Sequence, residues 1–282
     1  MAVSEAQTNK LRLTMIDVGW GDSIFLESIN LDGTSHYALV DCNDTTYSRS
    51  SYIFLKRFFE RKGLAVPSAQ ILFDWVLLSH AHADHGNGLT RVLKDCGTSR
   101  LWYSKSPNHP ALLAKLLNFA ATSNRVAHDE AIDTSKQLPQ FGSASMEVLW
   151  PPQGALATNE NNNSVVLAIT LGEVTLVLTG DAEADVVWTQ ISSQIPSSTK
   201  FFKVPHHGAR NGTFTSANLT PWLNGLPDDT RLGISGHVHP HSHPDATVVA
   251  ALSGKTIYRT DLHYHVCVET NGVDVRVSYS HV

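Results

Sequence analysis

Leu77-Leu78-Ser79-His80-Ala81-His82-Ala83-Asp84-His85-Gly86-Asn87-Gly88 is the stretch on which the reading of the chain turns. An apolar run from Trp75 to Leu78 leads into four potential metal ligands within six residues, and a Gly-Asn-Gly turn follows. A short buried strand that ends in a tight turn splays alternate side chains toward one point. His80 and His82 then meet one cation while Asp84 and His85 meet a second. Zinc accepts imidazole nitrogen and carboxylate oxygen, and a catalytic zinc keeps one position open for water. The alternative, a surface loop that happens to be rich in histidine, does not account for the hydrophobic strand before it.

A two-cation site needs about seven protein ligands, so the turn at 80–85 requires partners at other strand ends. Leu178-Thr179-Gly180-Asp181 is an apolar strand closing on a carboxylate, placed to bridge two cations; a helix N-cap is its other reading. Val204-Pro205-His206-His207-Gly208 repeats the device with imidazoles. One histidine of this pair completes the first cation position and the other meets the substrate. Spacing leaves the choice open; His206 is taken as ligand and His207 as catalytic. Gly236 to Pro244 carries four alternating histidines, of which His243 is chosen as ligand because Pro244 opens a helix behind it. Asp41 ends a strand and is expected to hold the far nitrogen of a ligating imidazole. Asp22, in the turn Asp17-Val18-Gly19-Trp20-Gly21-Asp22, is expected near the cluster or the substrate. Asn163, Ser164, Lys203 and Arg210 are candidate phosphate contacts. Asp84 and Asp181 serve both as ligands and as holders of the attacking water's proton.

The remaining sequence bounds the protein class. Its 282 residues, 42% hydrophobic and 17% charged, suffice for one large core. The net charge of −5 argues against a generally basic nucleic-acid binder. Three scattered cysteines without CxxC spacing argue against a disulfide framework and for a reducing compartment. The polar first ten residues lack an apolar signal region, and no apolar run nears the roughly 20 residues that span a bilayer. The expectation is a soluble, cytoplasmic, single domain over 1–282 with a flexible leader at 1–10; the oligomeric state is left open.

Strand-like segments dominate: 11–18, 23–28, 36–40, 76–79 and 101–103 first, then 145–150, 164–171, 173–179, 201–204 and 232–235, with 256–259, 265–270 and 273–278 last. Helical patterns fall at 50–62, 88–95, 110–121, 182–191 and 244–252. In the first helix Ile53, Phe54, Phe58 and the stem of Lys62 are expected on one face. Two successive sheets, each accompanied by helices, give an α/β fold: a four-layer αββα sandwich of two mixed β-sheets.

The motif series DVGWGDS (17–23), ALVDCN (38–43), LLSHAHADHGNGL (77–89), NNNSVVL (161–167), LTGDAE (178–183), KVPHHGA (203–209) and HSHPD (241–245) resembles the metallo-β-lactamase superfamily. In order and spacing it is similar to the soluble C-terminal hydrolase domain of ComEC competence proteins and to phosphorylcholine esterases, over residues 11 to about 270. The resemblance implies the αββα fold and two divalent cations, Zn2+ foremost with Mn2+ or Fe2+ as alternatives. His80, His82 and a histidine of the PHHG motif would hold one, Asp84, His85 and His243 the other, with Asp181 between. The expected activity is hydrolysis of a phosphoester or phosphodiester, small-molecule or nucleic-acid, by a metal-bound hydroxide. Carbonyl hydrolysis of a lactone, thioester or β-lactam is the alternative, and a non-catalytic binding module the second.

Overall fold

The computed structural model describes residues 8–108, 110–154 and 156–280. Fourteen strands among them form two mixed sheets. The first sheet is eight-stranded, in the order β14-β13-β1-β2-β3-β4-β5-β6. Its strands are β1 (Lys10–Met15), β2 (Ser23–Ile29), β3 (Ser35–Cys42), β4 (Phe73–Leu78), β5 (Thr98–Tyr103), β6 (Val126–Ala131), β13 (Val266–Thr270) and β14 (Val275–Tyr279). The second is six-stranded, in the order β12-β11-β10-β9-β8-β7. It contains β7 (Ser145–Trp150), β8 (Val166–Leu171), β9 (Val174–Leu178), β10 (Thr199–Lys203), β11 (Arg231–Ile234) and β12 (Ile257–Arg259). Each sheet has a parallel portion, β3 to β6 and β9 to β12.

The layers follow from the two-residue period of the strands. In β4, Trp75 and Leu77 face the second sheet, while Val76 and Leu78 face helices α1 (Ser50–Arg61), α3 (Leu89–Cys96) and α4 (Ala111–Thr122); Phe73, at the strand's first residue, departs from the alternation and packs on Phe59 of α1. Burial on both faces is why the strand runs apolar from Trp75 to Leu78 instead of alternating. Trp75 stacks on Trp102 with ring centroids 5.2 Å apart, and Phe141 meets it edge-on at 5.4 Å between the sheets. Phe201 of β10 joins that inner core, whereas Phe202 turns outward onto Trp188 and Trp222 beneath the second helical layer. Three apolar layers therefore separate four structural ones, the expected αββα sandwich. Each of these large buried side chains contributes about 1.5–3 kcal/mol of burial.

Several local expectations change. Of the expected leader, Lys10 already belongs to β1, Asn9 accepts the Leu31 N–H (2.9 Å), and residues 1–7 lie outside the described residues. On α1 Leu55 and Phe59 are fully buried and the expected Phe54 and Phe58 pack partly buried against the same core, whereas Ile53 faces solvent. The polar edge strand β6 was not anticipated, because edge strands carry charge that hides their pattern. The helix expected from Ala182 begins at Ala184 as a π-turn.

The parallel strands place the connections after β3, β4, β9, β10 and β11 at one end of the sandwich, where ligand sites form in open parallel sheets.

Candidate metal centre

Beyond Leu78 the chain leaves β4 through Ser79 and His80 and makes the single helical turn α2 (Ala83–Gly86), with His82 at its start. This brings Nε2 of His80 within 3.0 Å of Nδ1 of His82 and sets the His80 ring, tilted by 54°, 4.2 Å from that of His85. Two nitrogens bound to one tetrahedral zinc lie about 3.3 Å apart, so the first pair is close to ligation spacing. From β3, the Asp41 carboxylate accepts the Ser79 N–H, the Ser79 hydroxyl and Nδ1–H of His85, each at 2.7 Å. The proton fixed on Nδ1 leaves the Nε2 lone pair of His85 directed into the site. Asp41 thus bonds the His85 nitrogen that points away from the crevice, and its own φ of 57° is one that Asp tolerates.

The second sheet supplies the opposite wall. Asp181 follows Gly180, whose φ is 50°, and its main-chain N–H donates to Oγ of Ser164 (3.0 Å). Its Oδ1 lies 3.3 Å from Nε2 of His85. Its Oδ2 lies 3.9 Å from Nε2 of His80, 3.7 Å from Nε2 of His206 and 3.5 Å from Nε2 of His207. After β10, His206, His207 and Gly208 have φ values of 51°, 53° and 77°. A left-handed residue that is not glycine costs about 1–2 kcal/mol, and such strain collects at functional sites. This turn carries both imidazoles from the strand into the crevice. His207 is fully buried, donates from Nδ1 to the Ser235 carbonyl (2.9 Å), and presents Nε2 3.5 Å from Oδ2 of Asp84. His243 stands further out, its ring 6.0 Å from that of His206 and 5.4 Å from Trp20.

Asp84, His85, Asp181 and His207 therefore each offer a ligand atom, all within 4.8 Å of one another. Nε2 of His85, Nε2 of His207 and Oδ1 of Asp181 are buried without a hydrogen-bond partner among the described residues. Unpaired buried polar atoms are costly, and several aimed at one point fit a cation. The electrostatics agree. Burial opposes charge on His207, yet Asp181 and Asp22 outweigh it and hold its pKa up at about 9. His85 is likewise pushed well above the usual histidine value, against burial, by Asp181 and Asp41. Burial would raise Asp181, but His207 and His85 hold it well below the ordinary carboxylate range. Protons drawn onto two buried imidazoles mark the negative potential that a dication would occupy.

No protein-family model matches the chain. Over 259 residues it is 26% identical to ComE operon protein 3 of Bacillus subtilis, a match covering 88% of this chain and 31% of that protein. The Escherichia coli uncharacterized protein YcaI is 26% identical over 184 residues, 58% of this chain and 21% of that protein. The chain thus spans less than a third of the length of these relatives. Among solved structures it is similar to a long form of RNase Z from yeast, at 14% identity and a TM-score of 0.40, covering 71% of this chain and 32% of that one.

The expected phosphate contacts lie elsewhere than the crevice floor. Lys203 is fully buried, with Nζ 2.7 Å from Oδ2 of Asp22, so its charge is spent on an ion pair between the sheets instead of on a ligand. Asp22 also accepts the Ser235 hydroxyl and lies 3.5 Å from Nδ1 of His207, beneath the cluster. The Asn163 amide is satisfied by both main-chain groups of Ala157, and Ser164 supports Asp181. Arg210 is exposed but bonded to Thr247 and Asn218.

Several contributors were not singled out from the sequence. Ser79 ties β4 to Asp41. Glu160 accepts the Ala81 N–H and the Ser106 hydroxyl, pinning the histidine turn to the loop after β5. Glu183 accepts side-chain amides from Asn159, Asn161, Asn162 and Asn211, which explains the asparagine run as a brace. Trp20 lies against His207, His241 and His243 at 4.9, 4.5 and 5.4 Å and roofs the site. A serine directly before the first ligand and a tryptophan between two glycines were the available signals. Among the described residues no helix is long and apolar enough to cross a membrane.

Proposed function

We propose that the chain is a metal-dependent hydrolase acting on a phosphoester, with a phosphodiester as the preferred substrate class. The observation that carries the reading is the set of half-buried Asp84 with buried His85, Asp181 and His207, whose ligand atoms lie within 4.8 Å and include unpaired nitrogens and oxygen. His80 and His82, with His206 beside Asp181, would hold one divalent cation; Asp84, His85 and His207 would hold the other, with Asp181 shared. In this arrangement His207 takes the ligand position first assigned to His243, and His243 lies outside. Bound cations lower the pKa of water toward neutrality and neutralise charge on phosphoryl oxygens.

The chain's own groups do the rest. Asp41 and the Ser235 carbonyl set the tautomers of His85 and His207. Asp84, with its pKa held well below the usual carboxylate range against burial by His207 and His85, stays ionised to accept a proton's hydrogen bond from water. His243, whose pKa is pushed down to about 4 by burial, His206 and His207, is neutral at pH 7, so it orients groups through an unprotonated ring rather than donating charge. Trp20 and the 237–243 loop shield the crevice from solvent. The preference for phosphorus over carbonyl carbon rests on the motif resemblance and on the suitability of paired cations for in-line displacement.

Two measurements test this. The first is the content of tightly held metal, retained after dialysis, in wild type, His207→Ala and His243→Ala: about two ions are expected for wild type and for His243→Ala, and fewer for His207→Ala. The second compares turnover of bis-p-nitrophenyl phosphate, a lactone and nitrocefin by the Zn2+-loaded chain. Ring opening without phosphodiester cleavage would refute the substrate class.

A further inference from the structure

The loop between β11 and the helix Ala246–Ala251 carries more imidazoles than the centre uses. His237, His239 and His241 alternate along it and are all exposed, while His243 is half-buried. The His237 and His239 rings lie 6.1 Å apart, and the His239 main-chain N–H donates to Nδ1 of His237 (3.2 Å). Two imidazoles on one tetrahedral zinc, bonded at about 2.0–2.1 Å, have ring centres about 5 Å apart, so a rotation of these exposed rings brings them onto a shared ion. That rotation gives up the 3.2 Å bond, which is weak and solvent-exposed. Among the described residues none of the three outer histidines is paired with a carboxylate, in contrast to His85 and His207.

From His241, two residues further along the loop, a row of rings runs inward. Ring centroids step from His241 to His243 at 6.1 Å, from His243 to His206 at 6.0 Å and from His206 to His207 at 6.2 Å. Trp20 walls one side of this row through its contacts with His241, His243 and His207. The row therefore begins in solvent and ends at a fully buried ligand cluster, where a hydrated dication arriving directly would have to shed its water in one step. An accessible path is itself a requirement of a working metal site, and imidazole sets favour Zn2+, Ni2+ and Cu2+ over harder cations.

Building on the two-cation reading above, we infer that His237, His239 and His241 form a third, outer cation site that captures a Zn2+-class ion and passes it along His243 and His206 to the buried centre. The outer ion exchanges with solvent; the inner two do not.

The test strips the full chain with a chelator, titrates it with Zn2+ and counts ions per chain, alongside the exposed-loop variant H237Q/H239Q and the inner variant H80A/H82A. Wild type is expected to bind three ions, the third weakest. H237Q/H239Q is expected to bind two, with outer affinity down by more than about ten-fold, an unchanged unfolding midpoint, and several-fold slower filling of the inner sites from limiting Zn2+. If wild type and H237Q/H239Q both bind two ions and fill at one rate, the outer site is refuted and the paired centre stands. If wild type binds one ion that H237Q/H239Q loses and H80A/H82A keeps, the outer capture site stands and the paired centre is refuted. Uptake of no ion refutes both.

Discussion

Replacing Asp41 with asparagine isolates the part that a charge on β3 plays at the centre. Asn keeps the side-chain shape and tolerates the left-handed backbone at this position, where φ is 57°. Its carbonyl oxygen still accepts the Ser79 N–H, but its amide presents N–H to Nδ1 of His85 where the carboxylate accepted at 2.7 Å. Nδ1 must then become an acceptor, which moves the imidazole proton to Nε2, the atom aimed at the cluster. Loss of such an orienting partner costs roughly 10–100-fold in metal affinity, or about 1.4–2.7 kcal/mol. The fold is affected less. A charge-assisted hydrogen bond worth about 1.5–3 kcal/mol is lost, but so is a fully buried carboxylate whose pKa burial already raises above its ordinary value. Competition of Zn2+ against a calibrated chelator measures the first quantity, and urea unfolding in excess chelator measures the second. Wild-type Zn2+ affinity in Asp41→Asn would refute the tautomer argument. A metal-free stability loss exceeding the affinity loss would show that Asp41 chiefly supports the fold.

Three further outcomes follow from other parts of the molecule. Lys203→Met leaves Asp22 charged between the sheets without its partner, the two side chains being 0% and 1% exposed, and is expected to destabilise the chain by about 3–5 kcal/mol in urea; a change below about 1 kcal/mol would contradict a buried ion pair. Gly21→Ala demands an alanine at φ +99° with its Cβ 2.8 Å from the Asn43 amide and pressed on the Asp84 carbonyl, so a strain of about 1–3 kcal/mol and fewer than two bound ions are expected from unfolding and metal analysis; wild-type values would refute the close approach. His265 accepts the Asp17 N–H at Nδ1 (2.9 Å), and burial holds its pKa below the usual value of 6.5. The unfolded chain binds that proton first, so the stability contributed is complete above pH 6.5 and declines as pH falls below it; in metal-free chain His265→Gln should flatten the stability profile between about pH 7 and 5, and an unchanged slope would refute this.

The fold was legible because its strands end where their chemistry changes. Leu78 gives way to Ser79 and His80, Leu178 to Thr179, Gly180 and Asp181, and Lys203 to Val204, Pro205 and His206, so apolar runs and ligand residues delimit one another. What stayed hidden depends on contacts between the sheets. Lys203 follows Phe201 by two residues and shares its inward face, a fact any strand period provides. That Asp22, at the start of β2 in the other sheet, would meet it there requires the packing of the two sheets, which no local pattern encodes. Asn163 misled for a similar reason: its amide reads as a phosphate contact until the main chain of Ala157 is found bonded to both of its ends.

The choice between His206 and His207 marks the boundary most sharply. In an extended chain, neighbours point to opposite faces, and only one of the pair would reach the crevice. Consecutive left-handed conformations at both residues remove that alternation, so both imidazoles turn toward Asp181, at 3.7 and 3.5 Å. The difference between them is then set by what lies behind each ring. His207 has the Ser235 carbonyl on Nδ1 and is buried; His206 has no hydrogen-bond partner on Nδ1 among the described residues and is partly open. The first sheet contributes Asp84 and His85, the second Asp181 and His207, so a cation bound among them joins both halves of the sandwich. Any ion that binds only the folded arrangement stabilises it by mass action, and here that stabilisation falls on the seam between the sheets. The strained PHHG turn is held at that same seam, where ligation of its imidazoles would offset the cost of the backbone that presents them.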